Sequence, residues 1–146
     1  MIELAITDSD DKGLRDGILK AIDAYNDAKM GRSGDYRPLV IPIRESPAGP
    51  VIGGMTGYTW AQWLFIELLV LPDSMRGKGL GTRLMKMAEA EAIRRGCVGV
   101  WLDTHSFQAR PFYEKLGYSV FGVLEDFPPG HTRYYLRKSL AAVPRK

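Results

Sequence analysis

Residues 75–83 of the chain, MRGKGLGTR, carry three glycines and three cations in nine positions. A helix is predicted to begin at the end of this stretch, because apolar residues recur at spacings of three and four from Leu80 to Ala92. Glycine adopts positive φ readily and allows close approach to the backbone, and the first N–H groups of a helix have no partner within it. The stretch is therefore predicted to bind an anion, with Arg76, Lys78 and Arg83 adding positive charge.

Two familiar phosphate-binding motifs do not fit this stretch. A P-loop reads G-x-x-x-x-G-K-[ST], but Lys78 is followed by Gly79, and Pro72 occupies the position of the first glycine. A dinucleotide-binding G-x-G-x-x-G that starts at Gly77 would need glycine at Thr82. A flexible glycine-rich turn without a ligand is the remaining alternative.

Alternating apolar residues and turn signals on both sides of this helix predict the element order β-α-β-β-β-α-β-α-β-β. The predicted elements are strand 2–6, helix 14–25, strands 39–43, 51–60 and 63–71, helix 80–95, strand 98–104, helix 108–116, and strands 118–124 and 132–140. Asp8, Ser9, Asp10 and Asp11 offer caps for the first helix. We expect an α/β fold in which a mixed seven-stranded sheet carries helices on both faces.

Composition limits the classes of protein to which the chain can belong. The 146 residues, 45% of them hydrophobic, predict one domain spanning residues 1–146. The net charge of +3 comes from scattered cations, which does not favour a nucleic-acid interface. The densest apolar run, residues 63–71, contains Glu67 and is far shorter than the roughly 20 residues of a membrane span. A single cysteine, Cys97, is interpreted as a packing residue, and no signal peptide is recognisable, so we expect a cytoplasmic protein.

Two blocks of the sequence resemble those of the GCN5-related N-acetyltransferase (GNAT) family. In the first block of that family, a strand ending V-x-P leads to R-x-x-G-x-G and a helix. Here Val70-Leu71-Pro72 is followed by residues 76–81, RGKGLG. The second block reads A-x-x-[LF]-Y-x-K-x-G-[FY] and corresponds to residues 109–118, ARPFYEKLGY. The resemblance covers about residues 64–124 and implies the GNAT fold, a mostly antiparallel twisted sheet whose middle strands splay apart.

The resemblance also implies that the chain binds acetyl-CoA and needs no metal. The pyrophosphate is expected on the amides of the glycine loop, and the pantetheine arm along the backbone of residues 68–71, an edge that the break at Pro72 would expose. The implied cofactor-binding residues are Leu69, Val70, Leu71, Arg76, Gly77, Lys78, Gly79, Leu80, Gly81, Thr82, Ser106 and Tyr113. Ser106 departs from the family, which often has asparagine at this position.

Transfer of an acetyl group to an amine requires a base and benefits from an acid. An alkylamine with a pKa near 10.4 is protonated at neutral pH, so freeing its lone pair costs about 4.6 kcal/mol. We favour Glu67 as the base, directly or through a water, because burial in an apolar run would raise the pKa of its carboxyl. A position on the polar side of a half-buried strand is the alternative for Glu67. His105 is the next candidate for the base, and Asp103, Asp126 and His131 are the others by position. The resemblance places Tyr113 near the CoA sulfur as the acid; a purely structural aromatic is the alternative.

The residues that would bind the acceptor amine are chosen by residue type and by their predicted places on loops and strand ends. The candidate acceptor-binding residues are Trp60, Asp103, His105 and His131. Aromatic rings suit a cationic or amphipathic amine, although such rings often belong to a core instead. The expected function is direct transfer from acetyl-CoA to a small-molecule primary amine in a ternary complex. Acetylation of a peptide or protein amine and a non-catalytic acyl-CoA sensor are the alternatives. The family often forms dimers, so a homodimer is a further expectation.

Overall fold

The structure is a computed structural model, and it describes residues 1–9 and 12–140. The chain divides into two compact units, Met1–Gly34 and Asp35–Lys146. The family resemblance, over about residues 64–124, lies within the second unit, and the expectation of one domain spanning both units stays a prediction.

The first unit consists of helix α1, Lys12–Met30, and the segment before it. Gly31, at φ +71°, ends the helix, and the Asp27 carboxylate accepts a hydrogen bond from the Gly34 N–H at 3.2 Å. The predicted strand at residues 2–6 is wrong, because these residues have no regular structure and their apolar side chains are exposed. Alternation indicates a strand only where a partner strand supplies a ladder, and no strand in residues 12–140 pairs with this segment. Two of the predicted caps, Asp10 and Asp11, lie outside the described residues.

The second unit is built on a mixed sheet of six strands, not seven. Its elements are β1 Arg37–Ile43, β2 Gly53–Trp60, β3 Trp63–Val70, α2 Leu80–Arg94, β4 Gly99–His105, α3 Arg110–Lys115, β5 Ser119–Glu125 and β6 Thr132–Ser139. The strands are arranged in the order β1-β2-β3-β4-β6-β5, and β3 and β4 are parallel whereas the other neighbours are antiparallel. A short 3₁₀ turn, Asp73–Met75, separates β3 from the glycine loop.

The two middle strands of the sheet separate after four paired residues. The ladder between β3 and β4 runs from the pair Trp63 and Gly99 to the pair Ile66 and Leu102, and it ends there. The remaining residues of β3 and β4 continue on either side of a gap, which confirms the expected splay of the middle strands.

The core lies on the face of the sheet that α2 covers. Leu64, Val100 and Leu136 on neighbouring strands are fully buried there, and Met85 and Ala88 of α2 pack against this layer. Burying each large apolar side chain contributes about 1.5–3 kcal/mol, so these contacts fix α2 against the strands that separate. A helix on the opposite face stays a prediction, because α1 belongs to the other unit.

Polar contacts hold α2 in the same position. Glu89 of α2 accepts a hydrogen bond from the Tyr118 hydroxyl at 2.7 Å and another from the Lys138 ammonium at 3.0 Å. At the C-terminal end of the helix, Arg95 donates to the Thr59 hydroxyl at 3.1 Å and to the Pro38 carbonyl at 3.1 Å. The helix that carries the glycine loop is therefore tied to both halves of the sheet.

Candidate active site at the gap in the sheet

A cavity of about 590 Å³ opens where β3 and β4 separate. Both of the sequence blocks described above contribute to its walls. The lining residues are Ile66, Glu67, Leu68, Leu69, Val70, Leu71, Arg76, Gly81, Leu102, Asp103, Thr104, Phe107, Gln108, Ala109, Phe112 and Tyr113. The volume lies within the range of sites for cofactors and small ligands.

The glycine loop at one end of the cavity has the geometry of an anion-binding turn. Gly77 and Gly79 lie at φ +75° and +76°, left-handed conformations that favour glycine. Gly79 precedes the first turn of α2, and the first backbone bond of the helix runs from the Arg83 N–H to the Gly79 carbonyl at 3.1 Å. The N–H groups of Leu80, Gly81 and Thr82 therefore have no partner within the helix and are available to an anion.

Gly81 serves a different purpose from the one expected of it. The sequence predicted an anion-binding turn that includes Gly77, Gly79 and Gly81 alike, but Gly81 lies within α2 and has no positive φ. A Cβ at this position would stand 3.2 Å from the Phe112 ring and 3.3 Å from Leu71. Glycine is needed here because α3 and the end of β3 approach the helix closely.

The cations of the loop surround its amides without entering the core. Arg76 pairs with Asp73 at 3.3 Å, and both side chains are largely exposed, so this ion pair contributes little to stability. Lys78 and Arg83 are also exposed. Their charges add to the positive end of the helix dipole at the mouth of the cavity.

A β-bulge places Glu67 at the start of the gap. Ile66 pairs with Gly57 and Leu68 pairs with Thr56, so Glu67 is the extra residue between two pairs. Beyond the bulge, no strand among the described residues pairs with the side of β3 that faces β4, which leaves backbone groups free along the cavity wall.

The Glu67 side chain is exposed, and this corrects the expectation that an apolar run would bury it. The residue lines the cavity all the same. The bulge interrupts the alternation of buried and exposed residues in β3, since Ile66 is buried whereas Glu67 and Leu68 are both exposed. Any role of Glu67 must therefore come from its position at the gap and not from desolvation of its carboxylate.

Tyr113 of α3 is the buried titratable group of the cavity. Its side chain is 8% exposed and packs edge-to-face on Phe112 and Tyr118. Burial, with a smaller contribution from the Asp103 carboxylate, raises the pKa of the phenol to about 12. Tyr113 therefore keeps its proton throughout the neutral range and can donate a hydrogen bond into the cavity.

Asp103 stands on the β4 side of the gap and is held by an arginine of β6. The Arg133 guanidinium donates to one Asp103 carboxylate oxygen from Nε at 2.9 Å and from Nη2 at 2.7 Å. Arg133 also lies 4.5 Å above the centre of the Phe127 ring. Both charged side chains are mostly buried, so the carboxylate is fixed in place and is compensated by the guanidinium.

Two histidines and two phenylalanines cluster beside Asp103. The His105 ring stacks on Phe107 with ring centres 5.1 Å apart and lies 5.7 Å from Phe127. His131 meets the edge of Phe107 at 4.9 Å. The fold thus brings together three of the four predicted acceptor-binding residues from two separate segments of the chain, but of these three only Asp103 lines the cavity, and the two histidines lie next to it against Phe107.

The fourth predicted acceptor-binding residue, Trp60, lies elsewhere. It lines a separate cavity of about 320 Å³ with Trp63, Phe65 and Trp101, at the opposite end of β3 from the glycine loop. At about 3.3 Å per strand residue, the distance from Trp63 to Leu69 is roughly 20 Å. The structure therefore does not bring Trp60 to the gap.

Ser106 is engaged with the neighbouring strand. Its hydroxyl oxygen accepts a hydrogen bond from the Thr132 N–H at 3.1 Å, and its own N–H donates to the Thr132 carbonyl at 2.7 Å. Ser106 does not line the cavity, whereas Phe107 and Gln108 beside it do. The predicted cofactor contact of Ser106 thus has no support in the geometry.

The sequence interpretation missed Phe107, Gln108 and Arg133. Gln108 and Phe107 follow directly after a strand end that carries Asp103 and His105, and that proximity is the signal that could have identified them. Arg133 is distant in sequence, and only the pairing of β4 with β6 places it beside Asp103.

The part of the chain that the structure describes holds no candidate for a metal site or a membrane-spanning helix. No cluster of three or more His, Cys, Asp or Glu residues there could hold a metal ion. None of the helices in residues 12–140 combines the length and hydropathy of a membrane span. Cys97 is buried, and burial raises the pKa of its thiol, consistent with the packing role expected of it.

Comparison with known proteins agrees with this geometry. The acetyltransferase (GNAT) family profile matches residues 12–118. An acetyltransferase from Agrobacterium fabrum is 39% identical over 128 residues, which cover 88% of this chain and 89% of the relative. Blasticidin-S acetyltransferase from Streptomyces morookaense is 42% identical over 93 residues, covering 63% of this chain and 68% of that enzyme. The crystal structure of an acetyltransferase from Agrobacterium tumefaciens has a TM-score of 0.88 at 35% identity, covering 95% of this chain and 100% of that one.

The family match spans the glycine loop, the gap between the strands and the block that contains Tyr113. The structural likeness extends over nearly the whole chain. The resemblance first seen in two short motifs is thereby confirmed: the chain belongs to the GNAT family and is an N-acetyltransferase.

Proposed function

We propose that this enzyme transfers an acetyl group from acetyl-CoA to the primary amine of a small molecule, directly and without a covalent enzyme intermediate. The observation that carries the proposal is one continuous cavity that joins the N-terminus of α2, the unpaired edge of β3 and the Tyr113 side chain. This arrangement suits a donor with a diphosphate at one end and a thioester at the other.

The donor would be held mainly by backbone groups. The free N–H groups of Leu80, Gly81 and Thr82 would bind the pyrophosphate, with Arg76 and Lys78 supplying charge at the mouth. The pantetheine amides would pair with the free edge of β3 from Leu68 to Leu71, as an added strand does. The thioester would then lie beside the bulge, where a backbone N–H of the free edge of β3 would stabilise the oxyanion.

Glu67 is proposed as the base that takes the proton from the acceptor amine, through a water. It lines the cavity at the start of the gap, where a thioester bound along β3 would present its carbonyl carbon. Because the Glu67 side chain is exposed, a water can reach it from solvent. Loss of the ammonium proton leaves the nitrogen lone pair free to form the C–N bond as the C–S bond breaks, and the extra proton that the new amide nitrogen then carries is released to water.

Tyr113 is proposed to act on the departing sulfur. A thiol has a pKa of about 8.5, so full transfer of the proton from a phenol with a pKa of about 12 would cost about 5 kcal/mol. A hydrogen bond from the phenol to the developing thiolate carries no such cost. We therefore assign Tyr113 to hydrogen-bond stabilisation of the leaving group, with the solvent supplying the final proton.

A small-molecule acceptor is favoured by the relatives and by the chemistry of the acceptor side. The Streptomyces relative is named for acetylation of blasticidin S, a named compound and not a protein. Asp103 and the ring cluster of His105, Phe107 and Phe127 offer one carboxylate and several aromatic faces, which suits an amine attached to an unsaturated or amphipathic body. Peptide or protein amines form the alternative acceptor class.

The proposal is tested by measuring CoA release from acetyl-CoA with a panel of amines, comparing small amines with peptides of free N-terminus or lysine. We expect turnover with small amines and little above background with peptides. Titration with acetyl-CoA by calorimetry is run in parallel. A protein that binds acetyl-CoA but acetylates nothing in the panel would be a sensor, and turnover confined to peptides would establish the alternative class.

A further inference from the structure

The side chain of Gln108 lies at the junction of β4 and α3, and it lines the cavity together with Asp103. Its amide oxygen accepts a hydrogen bond from the His105 backbone N–H at 2.8 Å and another from the Thr104 hydroxyl at 3.2 Å. A backbone N–H can only donate, so the atom that faces it must be the amide oxygen and not the amide nitrogen. The orientation of the Gln108 side chain is therefore fixed.

The same oxygen lies 3.1 Å from Nδ1 of the His105 ring. Because an amide oxygen can only accept, Nδ1 must carry a hydrogen in this geometry, and in a neutral imidazole it carries the only one. The lone pair of the ring is then on Nε2. Within residues 1–9 and 12–140, Nε2 has no hydrogen-bond partner, so this acceptor is available to a ligand.

The ring cannot easily turn away from this position. It stacks on Phe107 with an interplanar angle of 14°, and Phe127 lies on it at a tilt of 33°. Phe107 and Gln108 both line the cavity of the proposed acetyl transfer. His105 also follows Asp103 by two residues on β4, so both side chains lie on the same face of the sheet.

We propose that Gln108 is a positioning residue that holds His105 in its Nδ1–H tautomer, so that Nε2 accepts a hydrogen bond from the acceptor amine. The inference rests on the proposed function and extends it to the recognition of the acceptor. An N–H of the neutral amine that points to Nε2 leaves the nitrogen lone pair free for the thioester. The Nε2–H tautomer would instead donate a hydrogen bond to the amine nitrogen, and that bond would occupy the lone pair that must attack the thioester.

Four of six charged and titratable groups on the neighbouring elements are paired with one another. The six are Asp103 on β4, Arg133 on β6, Asp126 and His131 on the loop between β5 and β6, and the pair of Arg110 and Glu114 on α3. Asp103 is already paired with Arg133, and Arg110 with Glu114 at 3.0 Å. His105 is thus the residue whose hydrogen-bonding character depends on Gln108.

The first test is spectroscopic and does not require activity. In the protein with ¹⁵N-labelled histidine, long-range ¹H–¹⁵N correlation at pH 8 should show His105 protonated on Nδ1. The Gln108→Met variant, which has no hydrogen-bonding amide, should show the Nε2–H form or an average of the two. Gln108→Glu keeps an accepting oxygen at this position and should retain the Nδ1–H form. An Nε2–H ring in the unsubstituted protein, or no change in Gln108→Met, would overturn the inference.

The second test is kinetic and uses an amine that the panel has shown to be a substrate. Loss of one hydrogen bond, worth about 1.4 kcal/mol, should raise the acceptor KM of Gln108→Met about tenfold, with the KM for acetyl-CoA unchanged. Gln108→Glu should restore it. Equal acceptor KM values in all three proteins would overturn the inference. If no amine is acetylated at all, the proposed function fails, whereas the tautomer measurement still decides whether Gln108 positions His105.

Discussion

Gly81 of α2 and Phe112 of α3 are in such close contact that a Cβ added to the glycine would stand 3.2 Å from the end of the phenylalanine ring. Leu71, just beyond β3, is almost as close to the same point, at 3.3 Å. The contact therefore joins the anion-binding turn, the free edge of β3 and the helix that carries Tyr113. Small changes at Gly81 should move all three walls of the cavity relative to one another.

Replacement of Gly81 by valine should destabilise the protein and weaken CoA binding together. Overpacking at a site this tight costs about 1–3 kcal/mol in the free energy of unfolding, and the displaced first turn of α2 would misplace the amides for the pyrophosphate. Urea unfolding and calorimetric titration with CoA measure the two effects. Ala90→Val, at an exposed position on the same helix, is the control and should leave CoA affinity unchanged. Normal CoA binding in Gly81→Val would show that the contact does not set the turn.

The Tyr113→Phe variant should lose rate and keep cofactor affinity. The phenol is proposed to stabilise charge on sulfur that appears only as the bond breaks, so its removal should lower kcat about 10- to 100-fold. The dissociation constant for acetyl-CoA should stay within about twofold of that of the unsubstituted enzyme, because the ring still fills its place.

Tyr118 provides the matched control for this substitution. It is also a buried tyrosine, but its hydroxyl donates to Glu89 on α2. Tyr118→Phe should lower the free energy of unfolding by about 1–2 kcal/mol and leave kcat nearly unchanged. Equal kcat values for Tyr113→Phe and Tyr118→Phe would argue against the role of Tyr113 at the sulfur.

The raised pKa of Tyr113 predicts a loss of stability in alkali. The pKa of the phenol is about 12 in the folded protein, against 10.0 for an unperturbed tyrosine side chain. Between these values the unfolded chain ionises while the folded chain stays neutral, so the stabilising contribution is full below pH 10 and is lost as the pH rises toward 12. The slope contributed is up to about 1.4 kcal/mol per pH unit. Urea unfolding at pH 9, 10 and 11 should show a steeper fall for the unsubstituted protein than for Tyr113→Phe, and parallel curves would contradict the assignment.

The local parts of this site could be predicted from the sequence because short-range rules determine them. Alternate glycines before an amphipathic helix specify a tight turn and free amides whatever surrounds them. The conformations of Gly77 and Gly79 accordingly match the prediction, and α2 has the predicted ends within one residue. The order of the strands from β1 to β6 is also as predicted, since alternation and turn residues mark each of them.

Most of the predictions that were wrong or missing concern features that depend on how strands pair. The sequence of a single segment does not show which strand it will pair with. Residues 2–6 alternate like a strand but have no partner in the structure. Glu67 was expected to be buried, but alternation with the buried Leu64 and Ile66 places it on the exposed side of β3, and the bulge opposite Thr56 and Gly57 exposes Leu68 as well. Trp60 was grouped with the acceptor residues for its chemistry, although the register of β2 and β3 places it at the far end of the sheet. Arg133 was missed because only the pairing of β6 with β4 brings it to Asp103.

Glu67→Gln should lower activity across the neutral range without changing the fold. The amide cannot take a proton from the acceptor ammonium, so kcat/KM for the amine should fall about 10²-fold or more between pH 6 and 9. Glu125→Gln, a substitution of the same kind at an exposed residue that does not line the cavity, should behave like the unsubstituted enzyme. A defect that shrinks as the pH approaches the pKa of the acceptor would further support the role, because the free amine then no longer needs a base. Full activity of Glu67→Gln throughout this range would remove Glu67 as the base and leave the neutral amine to be drawn directly from solution.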